Sequence, residues 1–381
     1  MKNIHFKAGQ GHRESHVRLV HVNAASGSYY VYIGVDIRHA GAYAKNLHFD
    51  GKAFIITDSN VDGLYGEAFA KALEDEGFDV GKIVIPAGEE HKRLETVRSI
   101  YDALHAHGMT RSDVIFALGG GVTGDMAGFA AGTYMRGIPY IQVPTTLLAQ
   151  IDSSVGGKTG VDLEYGKNLV GMFNQPAKVL IDPCVLDTLD PKAFADGMAE
   201  AVKYGLIRDA ALFEKLAGEG EGPDITEMIQ TCVEIKNKVV SNDERDTGER
   251  MILNFGHTIG HALEKCGNYT KYTHGQAVAI GMVREAAIGE AMGETPEHTV
   301  EAVIKAVTKY GLPTSSDESP EEIFNALLTD KKKSGGDMNM ILLESIGNAV
   351  IRKIPAEDLR ELLTRTQAVV SEACGALAAV E

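Results

Sequence analysis

The sequence divides into an α/β half with a largely parallel sheet and a mainly α-helical half, and three observations predict this. Short apolar runs alternate with helical periods through the first half, a glycine triplet separates one such run from the next helix, and helical periods succeed one another from about residue 186. KAFIITD (52–58) is the first clear strand, and a helix ending at Gly77 follows. KIVIP (82–86), a helix ending near Gly108 and DVIFAL (113–118) continue the rhythm. IPYIQVP (138–144) and KVLID (178–182) are further strands after glycine-rich turns. In the second half only MNMILLESIGNAVIRKI (338–354) breaks the helical pattern, as a hairpin about Gly347. The boundaries drawn are an extension of unknown role over 1–28, an α/β domain over 29–185 and a helical domain over 186–381. The junction should be a packed hinge with a cleft beside it.

Composition narrows the function. The net charge of −16 over 381 residues argues against nucleic acid or an anionic membrane as partner. An anionic small molecule remains open only where cations are gathered locally. Cys184, Cys232, Cys266 and Cys374 lie far apart, so neither a zinc ribbon nor a disulfide framework is expected, and a reducing compartment fits. No apolar run reaches the length of a membrane span and the first residues lack a secretory core, so a soluble, cytoplasmic protein is expected.

NFGHTIGHALE (254–264) gathers the most chemistry. Read as one helix at about 100° per residue, Arg250, Asn254, His257 and His261 share an arc of roughly 60°. His274 opens a second apolar helix, THGQAVAIGMV, and Glu200 stands with Lys203 at i and i+3 inside the apolar run GMAEAVKYGL. Glu and Lys are seldom buried unless paired or bound to something. Two of these histidines with Glu200 would make an open site that suits catalytic zinc, while hydrogen-bonded structural histidines and a surface ion pair are the alternatives.

DVIFALGGGVTGDMAGFAAG (113–132) runs strand, glycines, helix, and lets backbone N–H groups and a helix N-terminus meet a pyrophosphate. Asp125 in that turn would repel phosphate, so it serves a ribose, a cation or a neighbouring lysine. Residues 143–171 add Thr145, Thr146, Asp152, Lys158, Lys167 and Asn168 among glycines, a set suited to a polyhydroxylated anion.

GGGVTGD, PTTLLAQIDSSVGGKTG, GKNLVG, GMAEAVKYGL, NFGHTIGHA and HGQAV together resemble the 3-dehydroquinate synthases of the sugar phosphate cyclase family, over about residues 29–365. The resemblance implies a Rossmann-like NAD-binding domain, a helical metal- and substrate-binding domain and a homodimer. It implies Glu200, His257 and His274 as ligands of Zn2+, with Co2+ as an alternative, and leaves His261 for proton transfer or phosphate. It places NAD against Asp58, Asn60, Glu89, Lys92, Gly120, Gly121, Val122, Asp125, Thr145, Thr146, Asp152, Lys158, Lys167, Thr188 and Leu189. The catalytic set it implies is Asp125, Lys158, Lys203, Lys236, Arg250, Asn254 and His261. Asn168, one of Lys331 and Lys332, and Arg136, offered across the dimer, would complete substrate binding. The implied reaction converts 3-deoxy-D-arabino-heptulosonate 7-phosphate to 3-dehydroquinate and phosphate in the shikimate pathway, with NAD catalytic. Another sugar phosphate cyclase, a metal-dependent polyol dehydrogenase and a non-catalytic NAD-binding sensor are the rival readings.

Overall fold

The computed structural model describes residues 17–45, 49, 51–220, 222–331 and 337–378. In chain order the strands of the first half are β1 (Arg18–Ala24), β2 (Gly27–Ile33), β3 (Lys52–Asp58), β4 (Asp79–Ile85), β5 (Val114–Gly119), β6 (Tyr140–Pro144), β7 (Lys158–Leu163), β8 (Gly166–Phe173) and β9 (Lys178–Ile181). Between them run α1 (Ala40–Lys45), α2 (Ser59–Val61), α3 (Glu67–Glu74), α4 (Leu94–Ala106) and α5 (Gly121–Thr133). There follow α6 (Pro191–Arg208), α7 (Ala210–Ala217), α8 (Ile225–Asn242), α9 (His257–Cys266), α10 (His274–Met292), α11 (Thr299–Lys309) and α12 (Pro320–Lys331). The hairpin β10 (Asp337–Ser345) and β11 (Asn348–Pro355) precedes α13 (Ala356–Ala378).

The chain forms two compact units. One holds the described residues up to Asp190 together with Ile225–Glu244; the other holds Pro191–Asp224 and the chain from Arg245 onward.

The first unit is a seven-stranded sheet in the order β1-β2-β9-β6-β5-β3-β4, parallel throughout except for β1 at one edge. Alternation along each central strand sends side chains to opposite faces. Phe54, Ile56, Ile115 and Ala117 pack with Ile100, Leu104 and Met126. Ile55, Phe116 and Leu118 pack with Phe69 and Leu73 on the other side. With both faces covered, β5, β6 and β9 are buried at every position. The chain reaches the edge at β4, then returns past β3 to lay down β5. The carboxyl ends of β3 and β5 therefore flank a topological switch point, where open α/β sheets place ligands.

Two parts differ from the sequence-based boundaries. Within the extension of unknown role drawn over 1–28, the segment from Arg18 belongs to the sheet: β1 and the start of β2 pair into it, with alternating inward residues Val20, Val22, Tyr29 and Val31 buried in its core. Residues 1–16 lie outside the described set. Helix α8 belongs to the sheet-bearing unit, where Arg18 donates to Gln230 at 2.8 Å and Asn237 to the His21 carbonyl at 2.8 Å. The stretch read as one glycine-rich region contains the antiparallel hairpin β7–β8.

The second unit is organised around α10, apolar nearly all round and buried along most of its length against α6, α9, α11, α13 and β10. Among the described residues no helix is long and apolar enough to cross a membrane, and all four cysteines are free thiols.

Candidate active site

The 254–264 segment does not form a single helix. Arg250 and Asn254 lie on a 3-10 turn, Glu249–Asn254, and α9 starts only at His257. Phe255 is extended (ψ 126°) and Gly256 is left-handed (φ 79°), which turns the backbone between them. The cause is close packing: a Cβ on Gly281 of α10 would stand 1.9 Å from the Gly256 carbonyl oxygen. The arc expected for Arg250, Asn254, His257 and His261 is thus replaced by two short pieces meeting at a glycine.

That packing aligns α9. The carboxylate of Glu285, buried in α10, accepts hydrogen bonds from the Gly256 N–H at 2.7 Å and the Ile259 N–H at 3.2 Å, capping the helix that His257 opens. His257 Nδ1 lies 3.2 Å from the Phe255 carbonyl, and its Nε2 lies 3.3 Å from Glu200 Oε1. At the start of α10, Thr273 and Gln276 form a capping box, and the Thr273 hydroxyl bonds Asp196 of α6 at 2.5 Å. Gly275 permits the approach, since a Cβ there would come 2.3 Å from the Asp196 Cα. This docking presents His274 Nε2 to Glu200 Oε1 at 3.4 Å.

Glu200, His257 and His274 therefore form one group whose donor atoms lie within 4.8 Å of one another. Glu200 is fully buried, and among the described residues neither of its oxygens has a hydrogen-bond partner, although Lys203 and both imidazoles press against it. Burial would raise its carboxyl, but Lys203 and then His257 outweigh that and hold it well below the ordinary value. Burial keeps His257 below its usual value and so neutral. Burial opposes protonation of His274 too, but Glu200 and Glu264 push it up to about 9. An ionised carboxylate without hydrogen bonds, facing two imidazole nitrogens, fits a divalent cation. His261 is outside this group, its side chain 55% exposed.

Further site residues cluster in the sheet-bearing unit. Lys92 donates to Asp125 and to Asn168, each at 2.7 Å, and Asn168 takes a left-handed conformation (φ 53°) to meet it. Burial lifts Asp125 above its ordinary value against the pull of Lys92. Asp125 thus serves a neighbouring lysine, one of the options its sequence position left open. Lys167 lies 4.0 Å from Glu89. Lys236 of α8 pairs with the Asp152 carboxylate and donates to its carbonyl at 2.8 Å. At the carboxyl ends of the strands, Asp58 accepts from the Asn60 and Val61 N–H groups and from the Thr123 hydroxyl. Gly120 caps α5 without any side-chain bond, so among the described residues the N–H groups of Gly121 and Val122 open the helix without a capping partner. The Thr145 hydroxyl, next to Thr146, is buried and has no partner among the described residues. Open N–H groups and an orphaned hydroxyl at the switch point fit a dinucleotide.

The other expected residues lie on turns and at element ends. Arg136 lies on the exposed turn after α5, a helix of 13 residues that puts it about 20 Å from Gly121. Lys158 is exposed at the start of β7. Thr188, at the end of the 3-10 turn Pro183–Thr188 and followed by Leu189, bonds Tyr65 at 2.6 Å. Arg250 is buried and Asn254 half-buried. Lys331 ends α12, and Lys332 lies outside the described residues. Sequence reasoning missed Asp196, Glu264 and Glu285. The argument applied to Glu200, a charge inside an apolar run, would have found Glu285.

Comparison with known proteins shows the family. Residues 82–196 match the 3-dehydroquinate synthase N-terminal model and residues 197–333 the C-terminal one. The 3-dehydroquinate synthase of Clostridium acetobutylicum is 46% identical over 353 residues, covering 91% of this chain and 99% of that protein. Among solved structures, 2-deoxy-scyllo-inosose synthase complexed with carbaglucose-6-phosphate, NAD+ and Co2+ is 30% identical with a TM-score of 0.81, covering 91% of this chain and 99% of its own. The 2-epi-5-epi-valiolone synthase of Streptomyces hygroscopicus subsp. jinggangensis, with NAD+ and Zn2+ bound, is 30% identical with a TM-score of 0.82, covering 90% and 97%.

Proposed function

Because the chain belongs to the 3-dehydroquinate synthase family, we propose how its side chains serve that family's reaction. The activity is a carbon–oxygen lyase step of the shikimate pathway, 3-deoxy-D-arabino-heptulosonate 7-phosphate going to 3-dehydroquinate and phosphate with NAD and a divalent metal as cofactors. A divalent metal held by Glu200, His257 and His274 would supply Lewis-acid activation of a substrate hydroxyl, and NAD held at the carboxyl ends of the strands would supply reversible hydride acceptance.

Glu200, His257 and His274 hold the metal, and Lys203 keeps Glu200 ionised. NAD lies along the carboxyl ends of β3, β5 and β6, against Asp58, Asn60, the Gly120–Val122 turn, Thr145 and Thr146, with Glu89, Lys92, Asp152, Lys167, Thr188 and Leu189 further out. Lys158, Asn168, Arg250, Asn254 and His261 take up the substrate phosphate as its charge develops, and the exposed ring of His261 can exchange a proton with solvent. Asp125 and Lys236 orient the substrate hydroxyls, and Lys331 or Lys332 adds a phosphate contact. The enzyme works in the cytoplasm as a homodimer in which Arg136 reaches the partner's phosphate site.

The observation that carries the reading is the buried, ionised Glu200, without hydrogen bonds, between two imidazoles. Phosphate release from the heptulosonate phosphate, with NAD well below substrate concentration and with or without chelator, tests it. Release that requires stoichiometric NAD, or that ignores the chelator, contradicts it.

A further inference from the structure

Glu264 has no part in the chemistry above, yet it is 3% exposed and lies on α9 two turns beyond His257. A carboxylate is not buried without a task. Its two oxygens face two different imidazoles: Oε1 lies 3.8 Å from His274 Nδ1 and Oε2 lies 4.0 Å from His261 Nε2. His274 is thereby placed between two carboxylates, with Glu200 3.4 Å from Nε2 on one side and Glu264 facing Nδ1 on the other.

We infer that Glu264 is a positioning residue for the metal site: facing Nδ1 of His274 from the side opposite Glu200, it orients that ring with Nε2 toward Glu200, and its second oxygen faces the ring of His261. This rests on the metal reading of Glu200, His257 and His274. An imidazole that ligates through one nitrogen has its tautomer and ring orientation set by an acceptor at the other. The two ligand histidines are held by different acceptors. His257 uses the Phe255 carbonyl of its own chain turn, whereas His274, at the start of α10, has Glu264 on a separate helix. Glu264 therefore couples α9 to α10 at the metal, which the backbone contact of His257 cannot do.

His261, Glu264 and His274 could themselves gather round a cation, since their donor atoms also lie within 4.8 Å of one another. That site would share His274 with the first, and filling both would strip the ring of both its protons. One metal with Glu264 as orienting acceptor avoids this.

The test measures zinc affinity of the full-length protein by chelator competition, in wild type, Glu264→Leu and Glu264→Gln. Outer acceptors of this kind typically account for about 10- to 100-fold in metal affinity. Glu264→Leu should therefore weaken zinc binding by that factor, and Glu264→Gln, which keeps a carbonyl acceptor, should recover part of it. NAD affinity should not change. A residue needed only for packing would lower the melting temperature of the chelated protein and leave zinc affinity alone. Zinc affinity within twofold of wild type in Glu264→Leu overturns the inference, as does a second zinc per wild-type chain that both variants lose, because Glu264 would then be a ligand. A wild-type protein that binds no zinc overturns the underlying metal reading instead.

Discussion

Glu200 and Asp125 are both carboxylates held against a lysine, but their surroundings are opposite. Lys92 bonds Asp125 and Asn168 with good geometry, and the Asn168 N–H in turn reaches Asp162 at 2.7 Å, so this network closes on itself. Glu200 also has its lysine and two imidazoles at hand, yet among the described residues neither of its oxygens has a hydrogen bond. Buried polar networks are stable when every member is satisfied. The first cluster meets that condition from its own chain, whereas in the proposed function the second meets it with a divalent cation. One would then be a preformed scaffold and the other a receptor.

Replacing the receptor carboxylate should have the largest effect. Glu200→Gln keeps the shape but removes the charge, and loss of several kcal/mol of metal-dependent stabilisation corresponds to about 10³-fold or more in kcat. Steady-state phosphate release measures this, and activity within tenfold of wild type would place the metal elsewhere. In the scaffold the loss should appear as stability. Lys92→Met leaves the half-buried Asp125 without its lysine, which should cost about 1–3 kcal/mol, while zinc affinity stays as it was. Denaturant unfolding and a zinc titration on the same variant separate the two.

Arg250→Ala comes next. Losing one charge-assisted pairing, about 2–3 kcal/mol, should lower kcat/KM for the phosphate substrate roughly 30- to 150-fold and leave NAD binding nearly unchanged. Kinetics with NAD titrated separately checks it, and near-normal efficiency would remove Arg250 from the phosphate site. The smallest effect sharpens the comparison from a third side. Arg284 in α10 is 1% exposed, and none of its three guanidinium nitrogens has a hydrogen-bond partner among the described residues. With no assigned ligand, it should be replaceable: Arg284→Met is expected to be neutral or stabilising by about 1 kcal/mol in thermal unfolding. A marked drop in activity or stability would show that unsatisfied buried charge is not specific to the Glu200 cluster.

Much of this was legible in the sequence. The apolar runs at 52–58, 113–118 and 178–182 found central strands because a sheet covered on both faces writes its burial as unbroken hydrophobicity. His257 stood out on a polar stripe within an apolar helical segment, and His274 as a polar residue opening an apolar helix. Edge strand β1 and its neighbour β2 were missed, because only every second residue is buried and no unbroken apolar run marks them. The break at Phe255 and Gly256 was hidden because it is imposed by α10, a partner distant in sequence. The allegiance of α8 to the sheet was hidden for the same reason: helical periodicity reports an apolar face but not what covers it.

The central claim is that the Glu200 cluster takes up one divalent metal on which the reaction depends. The direct measurement is metal content and phosphate release on the same samples: wild type, Glu200→Gln and Lys92→Met, before and after chelation and after returning zinc or cobalt. The account predicts one metal per chain in wild type and in folded Lys92→Met, none in Glu200→Gln, and activity that disappears with the chelator and returns with either metal. Full phosphate release from metal-free wild type, or one tightly held metal in Glu200→Gln, would contradict it.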